Sequence, residues 1–229
     1  MNATGALDVD MSNSGKALRS VSSSLARWFW ETHSVTIRSE KPFVFASELL
    51  SPIYTDCRRL LSYPQAIREI VDAAVEFLER SRLLDSFSVI AGGETAGIPY
   101  AAILAYRLGL PMVYVRKQPK HYGTLSRIEG VLEEGSRVLL FEDLVSDGGS
   151  KLSFVSALRD AHCDISYCLV LFEYGLPDCR RVLKTAGIEL ISLVDCNAIL
   201  DYGIKDGRVG PEAARAVESF LLKPQKKQT

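Results

Sequence analysis

The segment best suited to chemistry joins an apolar run to two adjacent carboxylates and a glycine-containing turn. Residues 138–150 read VLLFEDLVSDGGS, so a predicted strand runs into Glu142 and Asp143 and then into a polar turn before a helix. Gly148 and Gly149 let backbone amides approach an anion, and the start of a helix adds the positive end of its dipole. The turn therefore predicts a phosphate site. The carboxylates could accept hydrogen bonds from sugar hydroxyls or hold a metal ion through water.

The elements that must position this turn alternate between strand and helix. Short apolar runs predict strands at 88–91, 112–115, 138–141, 168–172 and 190–194. Helical patterns follow several of them, at 96–108, 150–161 and 178–186. This alternation predicts an α/β fold with a parallel sheet covered by helices on both faces, and ligands of such sheets bind beyond the carboxyl ends of the strands. A strand that ends in an acidic turn before a helix is also common in such folds, so a purely structural turn stays an alternative.

The region before this alternation predicts a small N-terminal cap, or hood. Apolar residues at helical spacing predict an amphipathic helix over 17–32. Two short extended segments follow at 43–45 and 53–55, and Pro52 between them fits an edge or hairpin position. Pro64 then begins a helix with one buried face.

The length of the chain fits one domain with short appendages. Residues 1–14 carry acids but neither a basic start nor an apolar run, which does not fit a signal peptide and predicts a disordered tail. We expect a single domain over 15–222, in which the helix and cap occupy about 15–60, and a polar C-terminal end at 223–229.

The composition limits the classes of partner. The chain has 229 residues, and 27 Lys and Arg nearly balance 28 Asp and Glu, which leaves a formal net charge of -1. No overall positive field attracts nucleic acid, so any anion site must be local. Charges interrupt the apolar stretches before the ~20 residues that a membrane span needs, and the five cysteines form no CxxC pair. We expect a cytoplasmic protein with reduced thiols and with no nucleic-acid or membrane partner.

A basic segment follows the second predicted strand. Residues 115–123 read VRKQPKHYG. By composition alone, this segment predicts a mobile, solvated loop and nothing more specific.

Together these motifs resemble the type I phosphoribosyltransferases, and within them the orotate phosphoribosyltransferases. The acidic strand and glycine turn are similar to the signature loop of the family, and the basic segment matches a loop of the form Arg-Lys-x-x-Lys-x-His/Tyr-Gly. Residues 43–59, FVFASELLSPIYTDCRR, resemble its Ser-Pro-x-Tyr-x-Asp-x-Arg segment, and 92–101, GGETAGIPYA, resemble its Gly-Ile-Pro turn. The resemblance extends over about 43–172.

The resemblance implies a glycosyltransferase of pyrimidine biosynthesis that converts orotate and phosphoribosyl pyrophosphate to orotidine 5'-monophosphate and pyrophosphate. Lys120, closing over the pyrophosphate, and Asp143 would be catalytic, and Ser146 would contact orotate. Mg2+ would be the cofactor, held mainly through pyrophosphate and water rather than by direct protein ligands. A homodimer would share active sites across its interface. The expected contacts to phosphoribosyl pyrophosphate are Arg116, Lys117, Lys120, Tyr122, Glu142, Asp143, Leu144, Val145, Ser146, Asp147, Gly148, Gly149 and Ser150.

The sequence also departs from the family pattern. Glu48 and Leu50 replace a glycine and a lysine, and Ala96 stands where some branches carry a lysine, so fewer cations would face the pyrophosphate. Residues 171–175 read LFEYG, without the arginine that grips the orotate carboxylate in many relatives. Another group, such as a backbone amide nest, would have to bind the carboxylate. Two alternatives therefore stay open: a phosphoribosyltransferase for another nucleobase, and a non-catalytic regulator that binds phosphoribosyl pyrophosphate.

Overall fold

A computed structural model describes residues 11–45, 49–119 and 126–222, with side chains from residue 21 onward. The chain enters the fold through helix α1 (Met11–Glu31). Leu25 and Phe29, four residues apart on this helix, are both buried, as the predicted amphipathic pattern requires. The helix begins at Met11, so its first residues lie within the segment for which we predicted a disordered tail.

The cap consists of two short antiparallel ribbons. Strand β1 (Val35–Ile37) pairs with β4 (Ile53–Thr55), and β2 (Phe43–Val44) pairs with β3 (Leu50–Ser51). A 3-10 helix at Cys57–Ser62 then leads into helix α2 (Pro64–Arg80), which begins at the predicted proline. The two predicted extended segments are thus strands, but each pairs with a different partner rather than with the other.

A six-stranded sheet forms the centre of the fold, in the order β10-β9-β8-β5-β6-β7. All neighbouring strands are parallel except β6 and β7, which are antiparallel. The strands are β5 (Val89–Gly93), β6 (Met112–Val115), β7 (Ile128–Glu129), β8 (Arg137–Val145), β9 (Asp164–Glu173) and β10 (Glu189–Asp195). The remaining helices are α3 (Gly97–Leu108), α4 (Gly149–Asp160), α5 (Pro177–Thr185), α6 (Cys196–Lys205) and α7 (Pro211–Leu222).

Helices cover both faces of this sheet, as predicted. One apolar core joins α1, α2, α3, α6 and α7 to sheet residues that include Leu139 and Phe141. The other core joins α4 and α5 to residues that include Val138 and Leu140. Because successive side chains of a strand point to opposite faces, residues 138–141 of β8 contribute alternately to the two cores. The α/β class with a doubly covered, mainly parallel sheet is therefore confirmed.

The order of the strands places a crevice between β5 and β8. The chain leaves β5 through α3 toward β6 on one side, and leaves β8 through α4 toward β9 on the other. Crossovers between parallel strands are right-handed, so connections in opposite directions put α3 and α4 on opposite faces. Such a reversal of strand order opens a ligand crevice beyond the carboxyl ends of the two strands.

Strand β8 runs four residues beyond the predicted strand end at 141, to Val145. Glu142 and Asp143 therefore lie inside the strand, where we had predicted that they follow it. The reason is the neighbouring strand: β9 continues alongside, and Glu142 is paired with Val170 and Leu144 with Phe172. Backbone pairing thus extends the strand through two charged residues that hydropathy assigns to a turn.

Candidate active site

Two turns meet at the crevice between β5 and β8. The β5–α3 turn, residues 93–97, leads from β5 into α3, and the β8–α4 turn, residues 145–150, leads from β8 into α4. Each brings the positive end of a helix dipole to the same edge of the sheet, where anions are favoured. The crevice is therefore suited to a ligand that carries negative charge at two points.

The β8–α4 turn is open to solvent. Gly148 has a φ of 85°, in the left-handed region that favours glycine, and it precedes the first turn of α4. Asp147, Gly149 and Ser150 are exposed, and Ser146 is half-buried. The Asp147 Oδ1 atom accepts a hydrogen bond of 3.0 Å from the Gly149 amide. The predicted phosphate-binding residues are thus brought together at an accessible helix N-terminus.

The side chains of Leu144 and Val145 anchor this turn to the two apolar cores. Val145 is buried in the core beneath α4 and α5, and Leu144 packs against the core on the opposite face. Their side chains are committed to the two cores, so a substrate could reach these two residues only through their backbone atoms.

Asp143 lies half-buried on the face of β8 that is covered by the cap and α3. Burial and then the charge of Asp143 raise the pKa of the Cys57 thiol, which places the carboxylate close to the 3-10 helix of the cap. Burial also raises the pKa of Asp143 itself, although Lys151 and Arg58 act in the opposite direction. Of the two predicted ribose contacts, Asp143 is the less buried residue.

The cap side of the crevice is held by short polar contacts. Arg58 Nε donates to Asp56 Oδ1 over 2.6 Å, and the hydroxyl of Tyr100, from α3, donates to the carbonyl oxygen of Cys57 over 2.6 Å. The second contact attaches the 3-10 helix to α3 beside Asp143, and the first orders the start of the 3-10 helix. Arg58 keeps 61 % of its side chain exposed, so its guanidinium group faces solvent at the mouth of the crevice.

Glu142 points to the opposite face and is buried. Its side chain is 4 % exposed, and its Oε2 atom lies 2.9 Å from Nζ of Lys151, whose side chain is 6 % exposed. Its Oε1 atom accepts a hydrogen bond of 2.7 Å from the Gly93 amide. Both carboxylate oxygens of Glu142 therefore have protein partners, and the contact that we predicted between Glu142 and the substrate stays a prediction.

The charges of Glu142 and Lys151 depend on each other. Burial raises the pKa of Glu142, while Lys151 and the Gly93 amide favour the ionised form. Burial also disfavours the charge on Lys151, but the carboxylates of Glu142 and Asp143 outweigh this effect and raise its pKa. Lys151 is therefore a buried ammonium group, which the sequence did not lead us to expect in the site.

The β5–α3 turn is closed against the protein interior. A Cβ atom on Gly93 would overlap the ring of Phe154 and the carboxylate of Glu142, and one on Gly97 would overlap the same carboxylate. Glu94 donates its amide to the Val115 carbonyl over 2.8 Å, and the peptide bond between Glu94 and Thr95 is cis. Glycine is needed here because the Glu142 side chain fills the space that a side chain would occupy.

The base of the predicted basic loop adjoins this turn. Lys117 donates its amide to Glu94 Oε2 over 2.8 Å. The Arg116 amide donates to the Arg127 carbonyl over 2.7 Å, and Arg127 Nε donates back to the Arg116 carbonyl over 2.9 Å. Arg116 and Lys117 are thus fixed beside the β5–α3 turn, and the roles of Glu94 and Arg127 were missed by sequence reasoning. Lys120 and Tyr122 lie outside the described residues.

The stretch that lacks the family arginine is packed into the fold. Glu173 forms an ion pair of 2.5 Å with Arg180, which also donates to the Leu190 carbonyl over 2.8 Å. Tyr174 is buried, and its hydroxyl oxygen accepts a hydrogen bond of 3.0 Å from the Thr55 amide. This stretch therefore presents a carboxylate with its own counter-ion and a buried phenol, rather than a free cation for an acceptor carboxylate.

Within the described ranges, no group of three or more His, Cys, Asp or Glu side chains could hold a metal ion. The five cysteines are all buried and free. No helix in the same ranges is long and apolar enough to cross a membrane.

Comparison with known proteins identifies the family. The family model of the phosphoribosyl transferase domain matches residues 58–182, which include both turns of the crevice. The chain is 46 % identical over 201 residues to the orotate phosphoribosyltransferase of Cereibacter sphaeroides, and the match covers 87 % of each chain. This chain belongs to the orotate phosphoribosyltransferase family. The family predicted from the motifs is therefore confirmed.

Solved structures agree with membership of the orotate phosphoribosyltransferase family. The UMP synthase of Leishmania donovani is 27 % identical with a TM-score of 0.75, and the match covers 87 % of this chain and 42 % of that one. The orotate phosphoribosyltransferase of Aeropyrum pernix is 30 % identical with a TM-score of 0.66, and the match covers 78 % of this chain and 98 % of that one. The fold is thus shared with solved structures of this family.

Proposed function

We propose that this chain transfers the phosphoribosyl group of phosphoribosyl pyrophosphate to orotate, which yields orotidine 5'-monophosphate and pyrophosphate for pyrimidine biosynthesis. The observation that carries the proposal is the pair of helix N-termini at one crevice, with the half-buried residue Asp143 beside them. Phosphoribosyl pyrophosphate has a phosphate at one end and a pyrophosphate at the other, with a ribose that carries two hydroxyl groups between them. The phosphate, ribose and pyrophosphate of the ligand thus follow one another in the same order as the first helix N-terminus, Asp143 and the second helix N-terminus of the crevice.

In this proposal each part of the donor has its own surroundings. The 5'-phosphate binds the β8–α4 turn through amides of Asp147, Gly148, Gly149 and Ser150, and the Gly149 amide exchanges its contact with Asp147 Oδ1 for one with the phosphate. Asp143 accepts hydrogen bonds from the ribose hydroxyls, because a carboxylate is an acceptor and a hydroxyl can donate. The pyrophosphate lies at the β5–α3 turn, beside Arg116 and Lys117, and Lys120 and Tyr122 complete the site. Ser146, half-buried at the end of β8, faces the acceptor base.

The chemical task of these residues is electrostatic. As the bond between C1 of ribose and the pyrophosphate oxygen breaks, positive charge develops on the ribose and negative charge on the leaving group. Groups that are already oriented toward these charges stabilise the transition state without reorganisation. Asp143 stabilises the ribose, and the amides of the β5–α3 turn together with Lys120 stabilise the departing pyrophosphate. Closure of the basic segment excludes water that would otherwise hydrolyse the sugar phosphate.

The donor atoms of the crevice fit Mg2+, which prefers oxygen ligands and keeps several waters. Asp143 offers a half-buried carboxylate at the edge of the crevice, and a pyrophosphate at the β5–α3 turn would supply the remaining anionic oxygens. When bound, Mg2+ would neutralise charge on the pyrophosphate. We expect the ion to be held mainly through pyrophosphate and water, with no direct protein ligand required.

The assay of this proposal follows the absorbance of orotate. Orotate mixed with the protein, phosphoribosyl pyrophosphate and Mg2+ should lose its absorbance, and EDTA should abolish the loss. A protein that binds the donor but consumes no orotate would contradict the proposal and favour the regulator.

A phosphoribosyltransferase for another nucleobase is the second candidate, and the packed stretch at 171–175 favours it. Glu173 and Tyr174 stand where a cation would be expected for the orotate carboxylate. A panel of free purine and pyrimidine bases, assayed with the same donor, separates the two candidates. Turnover of a base without a carboxylate at a rate above that of orotate would select the second candidate.

We further propose that the enzyme is a cytoplasmic homodimer in which Lys120 of one subunit reaches the crevice of the other. Symmetric dimers are the commonest oligomers. The test mixes Lys120→Ala protein with Asp143→Asn protein under conditions that exchange subunits. If the sites are shared, one site of each mixed dimer is intact, so about a quarter of the wild-type activity should return. If subunits exchange but no activity returns, each site is built from one chain.

A further inference from the structure

The buried pair of Glu142 and Lys151 connects the two turns of the crevice. Glu142 belongs to β8, and its carboxylate joins Nζ of Lys151 over 2.9 Å to the amide of Gly93 over 2.7 Å. Lys151 lies in the first turn of α4, and its Nζ also lies 3.3 Å from the Ser150 hydroxyl, at the end of the β8–α4 turn. One carboxylate thus links the start of α4 to the end of β5.

The packing around this carboxylate makes the link rigid. Gly93 and Gly97 both approach so closely that neither has room for a Cβ atom beside Glu142. Phe154, from the second turn of α4, closes the same space against Gly93. Neither turn can therefore move relative to the other without breaking the contacts of Glu142.

Stability alone does not explain such a pair. Removal of two charges from water is unfavourable, and a protein with apolar side chains of similar volume in the same place is often equally or more stable. Charged hydrogen bonds are, however, short and directional, so they fix distances better than apolar contacts do. The position of the pair, between two anion-binding turns, is where a fixed distance has a use.

We propose that Glu142 and Lys151 are positioning residues that hold the β5–α3 and β8–α4 turns at the spacing that phosphoribosyl pyrophosphate requires. This inference rests on the proposed placement of the 5'-phosphate at one turn and the pyrophosphate at the other. It also gives the two acidic residues different roles, because Asp143 contacts the ribose while Glu142 acts through the backbone. The pair therefore increases the affinity for a ligand that spans both turns and has little effect on the affinity for a ligand that occupies one turn.

The experiment compares two ligands in a set of variants. Phosphoribosyl pyrophosphate occupies both turns, and ribose 5-phosphate occupies the β8–α4 turn alone. Their dissociation constants are measured with Mg2+ by calorimetry for the wild type, Lys151→Met, Glu142→Gln and the double variant. Glu69→Gln is the control, because it breaks an ion pair of 2.5 Å with Arg27 between α2 and α1, helices that belong to neither turn. The melting temperature of each variant is recorded beside its affinities.

We expect Lys151→Met to raise the dissociation constant of phosphoribosyl pyrophosphate by about 10- to 100-fold, the cost of a small misplacement of binding groups. The dissociation constant of ribose 5-phosphate should stay within about twofold of its wild-type value. In Glu69→Gln the dissociation constants of both ligands should stay within the same range. The double variant, which leaves no buried charge unpaired, should fold and still show the selective loss. It therefore keeps the test decisive if a single variant does not fold.

Two results would overturn the inference in distinguishable ways. If the wild type binds both ligands and the variants weaken them in equal proportion, or weaken neither, the pair has no role in spacing while the placement of the substrate stands. If the wild type binds neither ligand, the placement itself is wrong, and the inference fails with it.

Discussion

The β5–α3 turn and the β8–α4 turn leave the same edge of the sheet, and each leads into a helix whose first residue is glycine, Gly97 or Gly149. Beneath Gly97 the Glu142 carboxylate fills the space, so a Cβ atom there would overlap it. Beside Gly149 only the Asp147 side chain comes near a Cβ position, at 3.5 Å, and the residue is exposed. The same residue type at the same helical position thus serves close packing in one turn and access of a ligand in the other.

This difference teaches that glycine in a motif has no single meaning. The first turn requires glycine for the protein's own structure, and the second leaves space for an anion. We therefore expect changes in the β5–α3 turn and its supports to affect both stability and catalysis. Changes at the surface of the β8–α4 turn should affect binding of the 5'-phosphate and leave stability nearly unchanged.

The largest expected effect concerns the cation that we place over the β5–α3 turn. Lys120→Ala should lower turnover by about 100- to 1000-fold, the usual cost of one oriented group that stabilises transition-state charge. The measurement is the steady-state rate of orotate consumption, with Lys205→Ala, an exposed lysine at the end of α6, as the control. A Lys120→Ala enzyme that kept a rate close to that of the control would remove the basic segment from the mechanism.

The adjacent carboxylates give the second test. Glu142→Gln leaves the buried Lys151 without its partner, which should lower the free energy of unfolding by about 3–5 kcal/mol. Removal of the Glu142 charge also relieves the desolvation that raises its pKa, but the uncompensated ammonium group outweighs this gain.

Asp143→Asn should have the opposite profile. Burial raises the pKa of Asp143, so at neutral pH, above the pKa of the unfolded chain, the ionised form costs stability and a neutral amide removes that cost. Stability should therefore be unchanged or higher, while the rate falls because the ribose loses its acceptor. Urea unfolding and steady-state kinetics of the two variants test the pair. Equal losses of stability in both would show that the two carboxylates have the same environment.

The two helix-first glycines provide the third and smallest effect. Gly97→Ala should lower the free energy of unfolding by about 1–3 kcal/mol, since overpacking must displace Glu142. Gly149→Ala should leave the free energy of unfolding within about 0.5 kcal/mol of the wild-type value. It should weaken the binding of ribose 5-phosphate, because the added methyl group would hinder the approach of the phosphate to the backbone amides. Thermal unfolding and calorimetry measure both. If Gly97→Ala proved as stable as Gly149→Ala, the closed packing of the first turn would be refuted.

The sequence predicted the strands and helices of the centre well, because hydropathy and periodicity report burial directly. The helix over 97–108 and the strand over 112–115 have nearly the predicted bounds. Prediction ended too early at β8, because pairing with β9 and not hydropathy extends that strand through Glu142 and Asp143. The short strands β1, β3 and β7 and the helices α6 and α7 were also not predicted. Two- or three-residue strands leave too little pattern to detect.

In the site, the motifs gave the phosphate turn and the acidic pair but not the difference within that pair. Which carboxylate is buried follows from the alternation of side chains along β8 and from which helix covers each face. Lys151 was missed because a lysine in the first turn of a helix normally predicts a solvated side chain. A signal was present in the sequence: the apolar residues Leu152, Phe154 and Val155 follow Lys151 closely, so this part of α4 packs against the sheet.

The measurement that tests the account most directly is a crystal structure of this protein with phosphoribosyl pyrophosphate and Mg2+. We predict that the 5'-phosphate accepts hydrogen bonds from amides of residues 147–150, that the ribose hydroxyls donate to Asp143, and that the pyrophosphate lies at residues 93–97. The Glu142 carboxylate should keep its contacts with Gly93 and Lys151. A donor bound in the reverse direction, or a Glu142 carboxylate that leaves Lys151 to contact the ribose, would contradict the account.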